Sequence, residues 1–133
     1  FQNYIKKFFS NPPTENDSGN NFVVFRYADV LLMLAEAIGE SNESYNFINQ
    51  VRERAGLASI DASSPGSFQE KLLKERQLEL AFENHRWADL KRFNMVSEKL
   101  TEAESEVINA TDIRDLFFIP QREMDINPNF TQN

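Results

Sequence analysis

A row of regularly spaced carboxylates is the part of this sequence that could carry out acid–base chemistry. Glu75, Glu79 and Glu83 follow one another at four-residue intervals, so a helix would carry them on one face. A glycosidase uses such a pair when one carboxyl has a raised pKa and acts as the general acid. Arg76 and Arg86 stand close enough to pair with the same carboxylates. The pattern therefore favours an ion-paired surface over catalysis.

The sequence lacks the residues that other catalytic and metal-binding motifs require. A carboxylate-bridged metal centre needs Glu three positions before His, and Phe82 occupies that place before His85. Zinc-protease and calcium-loop spacings are missing, no serine lies in a nucleophile elbow, and the glycines are too scattered for a phosphate loop. Cysteine is absent, which excludes thiol chemistry. The sequence therefore predicts no catalytic residue, no metal site, no cofactor and no enzyme activity.

Charge and hydropathy narrow the classes of partner. The formal net charge of -7 argues against nucleic acid and against a basic anchor on an anionic membrane. The longest purely apolar run, from Val30 to Ala35, is far shorter than a bilayer span. Because the chain begins with Phe1 rather than Met, we expect a processed product or part of a longer protein. Any membrane anchor would then lie upstream.

Hydrophobic periodicity predicts helices for most of the chain. A helical repeat of apolar residues begins at residue 27, and Leu32 and Met33 extend its apolar surface. The members of this repeat are Tyr27, Val30, Leu31, Leu34, Ala35 and Ile38. A helix of this kind is expected to be covered on more than one side. A second helix is predicted over 44–55, and the short link between the two indicates a hairpin of the tetratricopeptide kind.

Capping residues mark the ends of these helices. Gly56 predicts a glycine C-cap for the second helix. Ser67, with Glu70 three residues later, predicts a capping box at the start of a third helix. The apolar pattern of this third helix continues to about residue 83 and includes Phe82 as a contact.

The remainder consists of shorter pieces. A break at Asn84 precedes two more helical turns, and Pro120 is placed to begin a last turn. No strand pattern is long enough for a substantial sheet, so the predicted fold class is mainly α, with tetratricopeptide-like helix hairpins and irregular loops. Residues 1–21 are predicted as an extended entry segment, and residues 22–133 as one helical domain.

Charged residues on or beside the apolar faces form a second candidate set. Charges in such positions commonly pair across helices, and these pairs fix how helices stack more than they raise net stability. We therefore expect a structural charge network. Its predicted members are Arg26, Asp29, Glu36, Arg52, Glu75, Arg76, Glu79, Arg86 and Asp89.

Trp87 is a further candidate, because an exposed tryptophan face can stack on a sugar ring. Its helical spacing between Phe82 and Leu90 favours core packing instead. We make the same prediction for Tyr27 and Tyr45.

Four segments occur in an order that is specific although each is degenerate alone. They are RYADVLLMLAEAI, INQVRERAGL, ERQLELAFENHRWADLKRF and FFIPQREMDINPNFTQN. Together they resemble the C-terminal region of the SusD/RagB family of Bacteroidetes surface lipoproteins. Asn84 departs from the family pattern, which often has glycine there, and relatives usually continue briefly beyond Asn133.

The resemblance implies the C-terminal part of a SusD-like fold in a protein several hundred residues long. It implies a lipid-anchored, outward-facing position at the outer membrane. It also implies a SusC-like TonB-dependent transporter as partner and an oligosaccharide or other nutrient as ligand, bound without catalysis. No ligand-binding residue is carried over, because most such positions in the family lie upstream.

Two alternatives stay open. The chain could be a helical-repeat module whose role is protein–protein contact alone. It could also, with less support, be a carbohydrate-active enzyme that uses Glu79 or Glu83.

Overall fold

The chain is mainly helical, as the sequence predicts. The computed structural model describes residues 5, 7, 21, 23–103 and 116–132, the side chains of 101–103 excepted, and no strand occurs among them. The helices are α1 (Tyr27–Ile38), α2 (Asn42–Arg54), α3 (Phe68–Glu79), α4 (Arg86–Arg92), α5 (Val96–Ala103) and α6 (Gln121–Ile126). The predicted entry segment 1–21 lies almost wholly outside the described residues, so its extended form and its boundary stay predictions.

The chain forms two compact units, Phe1–Arg86 and Trp87–Asn133. In the first unit α1 and α2 form the predicted hairpin, and α3 packs on both of them. Leu32, Ile48 and Leu72, one from each helix, are completely buried at the centre. Burial of a side chain of this size contributes about 1.5–3 kcal/mol. The hydrophobic core is therefore the main force that holds the three helices together.

Local capping follows the sequence closely. The Ser67 hydroxyl accepts from the Glu70 backbone N–H while the Glu70 carboxylate accepts from the Ser67 N–H, which confirms the capping box. Gly56 has φ of 75°, and the N–H groups of Gly56 and Leu57 donate to the carbonyls of Glu53 and Arg52. This is the pair of bonds expected of a glycine that ends a helix.

The third helix ends earlier than predicted. It stops at Glu79 rather than near residue 83, and Phe82 lies in the following turn with φ of 66° and 70% of its surface exposed. The carbonyl of Glu79 accepts hydrogen bonds from the Arg26 and Lys7 side chains, whereas the Glu83 N–H bonds to the Leu80 carbonyl. The carbonyl that would continue the helix is thus already occupied by cations.

Helix α1 buries only part of its predicted apolar stripe. Ala28, Leu31, Leu32 and Ala35 are buried against the other helices. Tyr27, Val30, Leu34 and Ile38 remain 73%, 39%, 43% and 44% exposed, respectively. The prediction that Tyr27 packs in the core is wrong, while Tyr45, at 3% exposed, confirms it for that residue.

The second unit contains the shorter helices and the C-terminal segment. Helix α4 ends at Arg92, and Asn94 in the following turn has φ of 57°. Pro120 immediately precedes α6, which confirms the prediction of a last helical turn at this position. The Gln132 side-chain amide bonds both backbone groups of Ile119 at 2.9 and 3.1 Å, which closes the segment into a loop. The prediction that Trp87 packs in the core is wrong, because the residue is 39% exposed. Its ring contacts Phe117 at a centroid distance of 6.5 Å. Helical spacing identifies a face but not whether anything covers it.

No helix among the described residues is both long enough and apolar enough to span a bilayer.

Candidate functional site

Two of the three carboxylates that could do chemistry, Glu79 and Glu83, belong to an ion-pair cluster at the C-terminal end of α3. Arg26 donates to Glu83 from Nε at 2.8 Å and from Nη2 at 2.7 Å, a two-point contact with both carboxylate oxygens. Its Nη1 donates to Glu79 Oε1 at 2.7 Å. Arg26 is the residue immediately before α1. One guanidinium therefore ties the start of α1 to the end of α3.

Two further cations complete this cluster. Arg54, in the last turn of α2, donates from Nη2 to the Glu79 oxygens at 2.7 and 2.6 Å. Lys7 forms an ion pair with Glu83 and donates to the Glu79 and Ala81 carbonyls at 2.7 and 3.0 Å. These contacts place positive charge at the negative end of the α3 dipole, where it is stabilising. We call Lys7, Arg26, Arg54, Glu79 and Glu83 the charge cluster.

The charge cluster holds Glu83 ionised. Burial of the Glu83 carboxyl acts to raise its pKa, but hydrogen bonds from Arg26 and Lys7 outweigh burial and lower the pKa to about 2. The hydrogen bond with Glu83 raises the pKa of Arg26 above its usual range. A glycosidase acid must instead hold its proton near neutral pH. The environment of Glu83 is therefore the reverse of the one that such an acid needs.

Two more ion pairs join the helices of the first unit. Arg52 Nη1 lies 2.7 Å from Glu75 Oε2, which joins α2 to α3. Arg76 Nη1 lies 2.9 Å from Asp29 Oδ1, which joins α3 to α1. The Arg76 and Asp29 side chains are only 3% and 2% exposed. Loss of one partner would leave a buried charge, which is the costly way to break such a pair.

The remaining predicted network residues have different surroundings. Asp89 is buried and lies 2.9 Å from Arg92 on the same helix. Glu36 and Arg86 are half-buried.

The predicted network leaves out Lys7, Arg54 and Glu83, although the carboxylate spacing had indicated that Glu83 is ion-paired. Arg54 could have been included, because the sequence places it in the last turn of α2, where a cation is favourable and can reach a carboxylate on a neighbouring helix. Lys7 carried no such signal, since it is more than seventy positions from its partners in the chain.

A second buried polar group lies under the loop between α2 and α3. Lys71 Nζ donates to the Asp61 carbonyl at 3.0 Å and lies 3.3 Å from the Tyr45 hydroxyl. Burial raises the pKa of Tyr45, and its hydroxyl donates to Glu40 at 3.0 Å. Because the ammonium is bonded to loop carbonyls, it holds the loop on the helices rather than facing a substrate.

A groove of about 440 Å³ opens between the start of α1 and the end of α2. Ala28, Leu31 and Val51 form an apolar floor, while Tyr27 and Arg54 stand at its edge. Its size and lining suit an apolar group with a polar rim.

No group of three or more potential metal ligands occurs in the part of the chain that the structure describes. The site residues therefore amount to a charge cluster and an adjoining groove.

Comparison with known proteins gives the family. The model of the SusD family matches residues 1–133. The chain belongs to the SusD family. Among curated SusD-like proteins of Formosa agariphila, P2 is 40% identical over 94 residues, covering 62% of this chain and 19% of its own length. P25 is 36% identical over 129 residues, covering 89% of this chain and 24% of its own length.

Two solved structures share the SusD fold of this chain. A laminarin-binding SusD-like protein has a TM-score of 0.61 at 35% identity, over 83% of this chain and 22% of its own. A SusD homologue from Bacteroides thetaiotaomicron has a TM-score of 0.60 at 35% identity, over 96% of this chain and 30% of its own. The chain thus spans less than a third of the length of each of these SusD proteins.

Proposed function

We propose that this chain is the helical scaffold of a glycan-binding subunit in an outer-membrane nutrient uptake system. The observation that carries the proposal is the match to the SusD family along the whole chain. The solved neighbour described as laminarin-binding supports a glycan as the class of ligand. The ligand-contacting surface belongs to the whole protein, and the helices described here support it.

The proposed partner is a SusC-like TonB-dependent transporter. The proposed location is the outer face of the outer membrane, reached through a lipid anchor outside this segment. Both follow from the family resemblance.

The subunit is proposed to bind without catalysis. Glu79 and Glu83 are the residues that an enzyme would use, and the charge cluster surrounds them with two arginines and a lysine. The lowered pKa of Glu83, about 2, supports a structural role, because an ionised carboxylate has no proton to give to a leaving group.

Binding and hydrolysis are measured together to test the proposal. A polypeptide of the relatives' length that carries this sequence is run through gels containing laminarin or other polysaccharides, and the same mixtures are assayed for new reducing ends. We expect retardation by at least one polysaccharide and no new reducing ends. Failure of every polysaccharide to retard the protein would contradict glycan binding. New reducing ends that disappear in Glu79→Gln would contradict the non-catalytic role.

A helical-repeat module for protein contact alone is the second candidate, and the exposed apolar face of α1 favours it. Under that function a protein partner would bind the chain and no polysaccharide would. The same gels therefore separate the two functions.

A further inference from the structure

The turn that follows α3 has a sequence suited to a helix. Leu80, Ala81 and Glu83 are residue types that favour helices. Phe82 lies four positions after Leu78, a spacing at which the two side chains would meet on one face of a helix. These two residues are instead 70% and 53% exposed, respectively. Something other than the local sequence therefore ends α3 one turn early.

Within this turn, one residue has a φ of the wrong sign for a helix. Leu80 has φ of -99° and ψ of 18°, in the bridge region next to the helical one. Phe82 alone among residues 80–83 has a positive φ, of 66°, which is unfavourable for a residue with a Cβ. Asn84, with φ of 64°, already has the conformation of a residue that follows a helix. Once φ changes at Phe82, Glu83 can therefore be the last residue of a longer α3.

Two cations occupy the acceptor that a longer α3 needs. In a helix that runs to Glu83, the Glu83 N–H would donate to the Glu79 carbonyl. Lys7 Nζ donates to that carbonyl at 2.7 Å and Arg26 Nη2 at 2.9 Å, which uses both of its lone pairs. The Glu83 N–H donates to the Leu80 carbonyl instead, at 3.1 Å. Lys7 also pairs with the Glu83 carboxylate, so one ammonium holds the turn at both ends.

Repulsion between carboxylates is the cost of a longer α3. Glu79 and Glu83 would lie four residues apart on it, where two like charges repel each other. Arg26 and Arg54 both pair with Glu79, and both remain in place if Lys7 leaves. Withdrawal of Lys7 alone therefore frees the Glu79 carbonyl without leaving the carboxylates uncompensated.

We propose that residues 80–83 are a two-state segment and that Lys7 selects between the two states. While Lys7 is bound, the segment forms the turn of this structure. When Lys7 is withdrawn, Phe82 adopts a negative φ and α3 gains one turn. The position of Lys7 is thereby coupled to the length of α3. The proposal rests on the contacts of the charge cluster and not on the identity of any glycan.

Hydrogen exchange at a single amide distinguishes the two states. The Ala81 N–H has no acceptor in the part of the chain that the structure describes, whereas in a longer α3 it would donate to the Gln77 carbonyl. Lys7→Met removes the ammonium and leaves a side chain of similar length. Lys74→Ala removes an exposed cation of α3 and is the control. Each variant is made in a polypeptide of the relatives' length, and exchange is resolved to single residues by mass spectrometry.

We expect Lys7→Met to slow exchange of the Ala81 N–H by about tenfold, and Lys74→Ala to leave it unchanged. A residue that only stabilises the fold would have the opposite effect, because the loss of its contacts speeds exchange. Unchanged or faster exchange at Ala81 in Lys7→Met would overturn the proposal. If Lys7→Met does not fold, Lys7→Gln takes its place, with the same expected direction and the same contradicting result.

A second substitution tests whether the protection comes from a longer helix. Phe82→Gly favours the turn, because glycine adopts a positive φ readily and is unfavourable inside a helix. Combined with Lys7→Met, it should return exchange at Ala81 to the rate of the parent protein. Protection that persists in the double variant would overturn the proposal. Glycan binding is not needed for any of these readings, so this inference and the proposed function fail separately.

Discussion

Arg26 and Glu83 are 57 positions apart in the chain, yet two hydrogen bonds of 2.8 and 2.7 Å join them. The bonds connect the residue before α1 to the turn after α3. The Glu83 side chain is only 4% exposed and that of Arg26 21% exposed, so water competes little for the contact. The pair fixes the start of α1 relative to the end of α3.

Loss of Arg26 should destabilise the fold. Arg26→Ala leaves Glu79 and Glu83 with fewer donors in a mostly buried site, so we expect the free energy of unfolding to fall by about 3 kcal/mol. Urea denaturation measures it. Lys74→Ala removes an exposed cation from α3 and should change the free energy by less than about 0.5 kcal/mol. Equal effects of the two substitutions would contradict a structural role for Arg26.

Acid should remove the contribution of Glu83. Its pKa is about 2 in the folded chain against an ordinary value of 4.5, so the unfolded chain takes up the proton more readily. The stabilisation is therefore fully present above pH 4.5 and is lost as the pH falls towards 2. Urea midpoints between these two pH values should fall less steeply with acidification in Glu83→Gln. An unchanged slope would contradict the lowered pKa.

Asn49 should be needed to hold the loop between α2 and α3. Its amide donates to the Ile60 carbonyl and accepts from the Ile60 N–H, both at 2.8 Å. Asn49→Ala should lower the free energy of unfolding by about 1–3 kcal/mol, because both half-buried backbone groups lose their partner. Asn46→Ala on the exposed side of the same helix is the control. A loss no larger than that of the control would show that the loop is held by other contacts.

Asn94 should tolerate glycine but not alanine. It has φ of 57° and is exposed, and the N–H groups of Asn94 and Met95 donate to Lys91 and Leu90. A Cβ without a polar side chain is unfavourable in this conformation, by about 1 kcal/mol. Thermal unfolding should show Asn94→Ala below the parent and Asn94→Gly equal to it or slightly above. The reverse order would mean that the asparagine side chain, rather than the backbone conformation, sets the stability.

The helices and their caps could be predicted because their determinants are local. Ser67 and Glu70 are three residues apart and Gly56 needs only its own backbone freedom, so short-range rules locate both helix ends. The end of α3 could not be located in this way. It depends on Lys7 and Arg26, which reach the Glu79 carbonyl from distant parts of the chain.

The sequence predicted that the site consists of ion pairs, but not which residues form them. The spacing of the carboxylates indicated ion pairing, and Arg26 and Glu79 are indeed in contact. Ion pairing was indicated for Glu83 as well, but its partners Arg26 and Lys7 could not be named, because periodicity does not say which helix or segment lies opposite. The exposure of Trp87 and Tyr27 has the same origin, since a helical stripe is identical in sequence whether or not a neighbour covers it.

The central claim is that the carboxylates in and just after the last turn of α3 fasten helices together rather than act on a substrate. A double-mutant cycle of Arg26→Ala and Glu83→Ala, measured by urea unfolding, tests it most directly. We predict that the two losses are not additive, with a coupling free energy of about 1–3 kcal/mol in favour of the native pair. Additive losses, with a coupling free energy below about 0.5 kcal/mol, would contradict the claim.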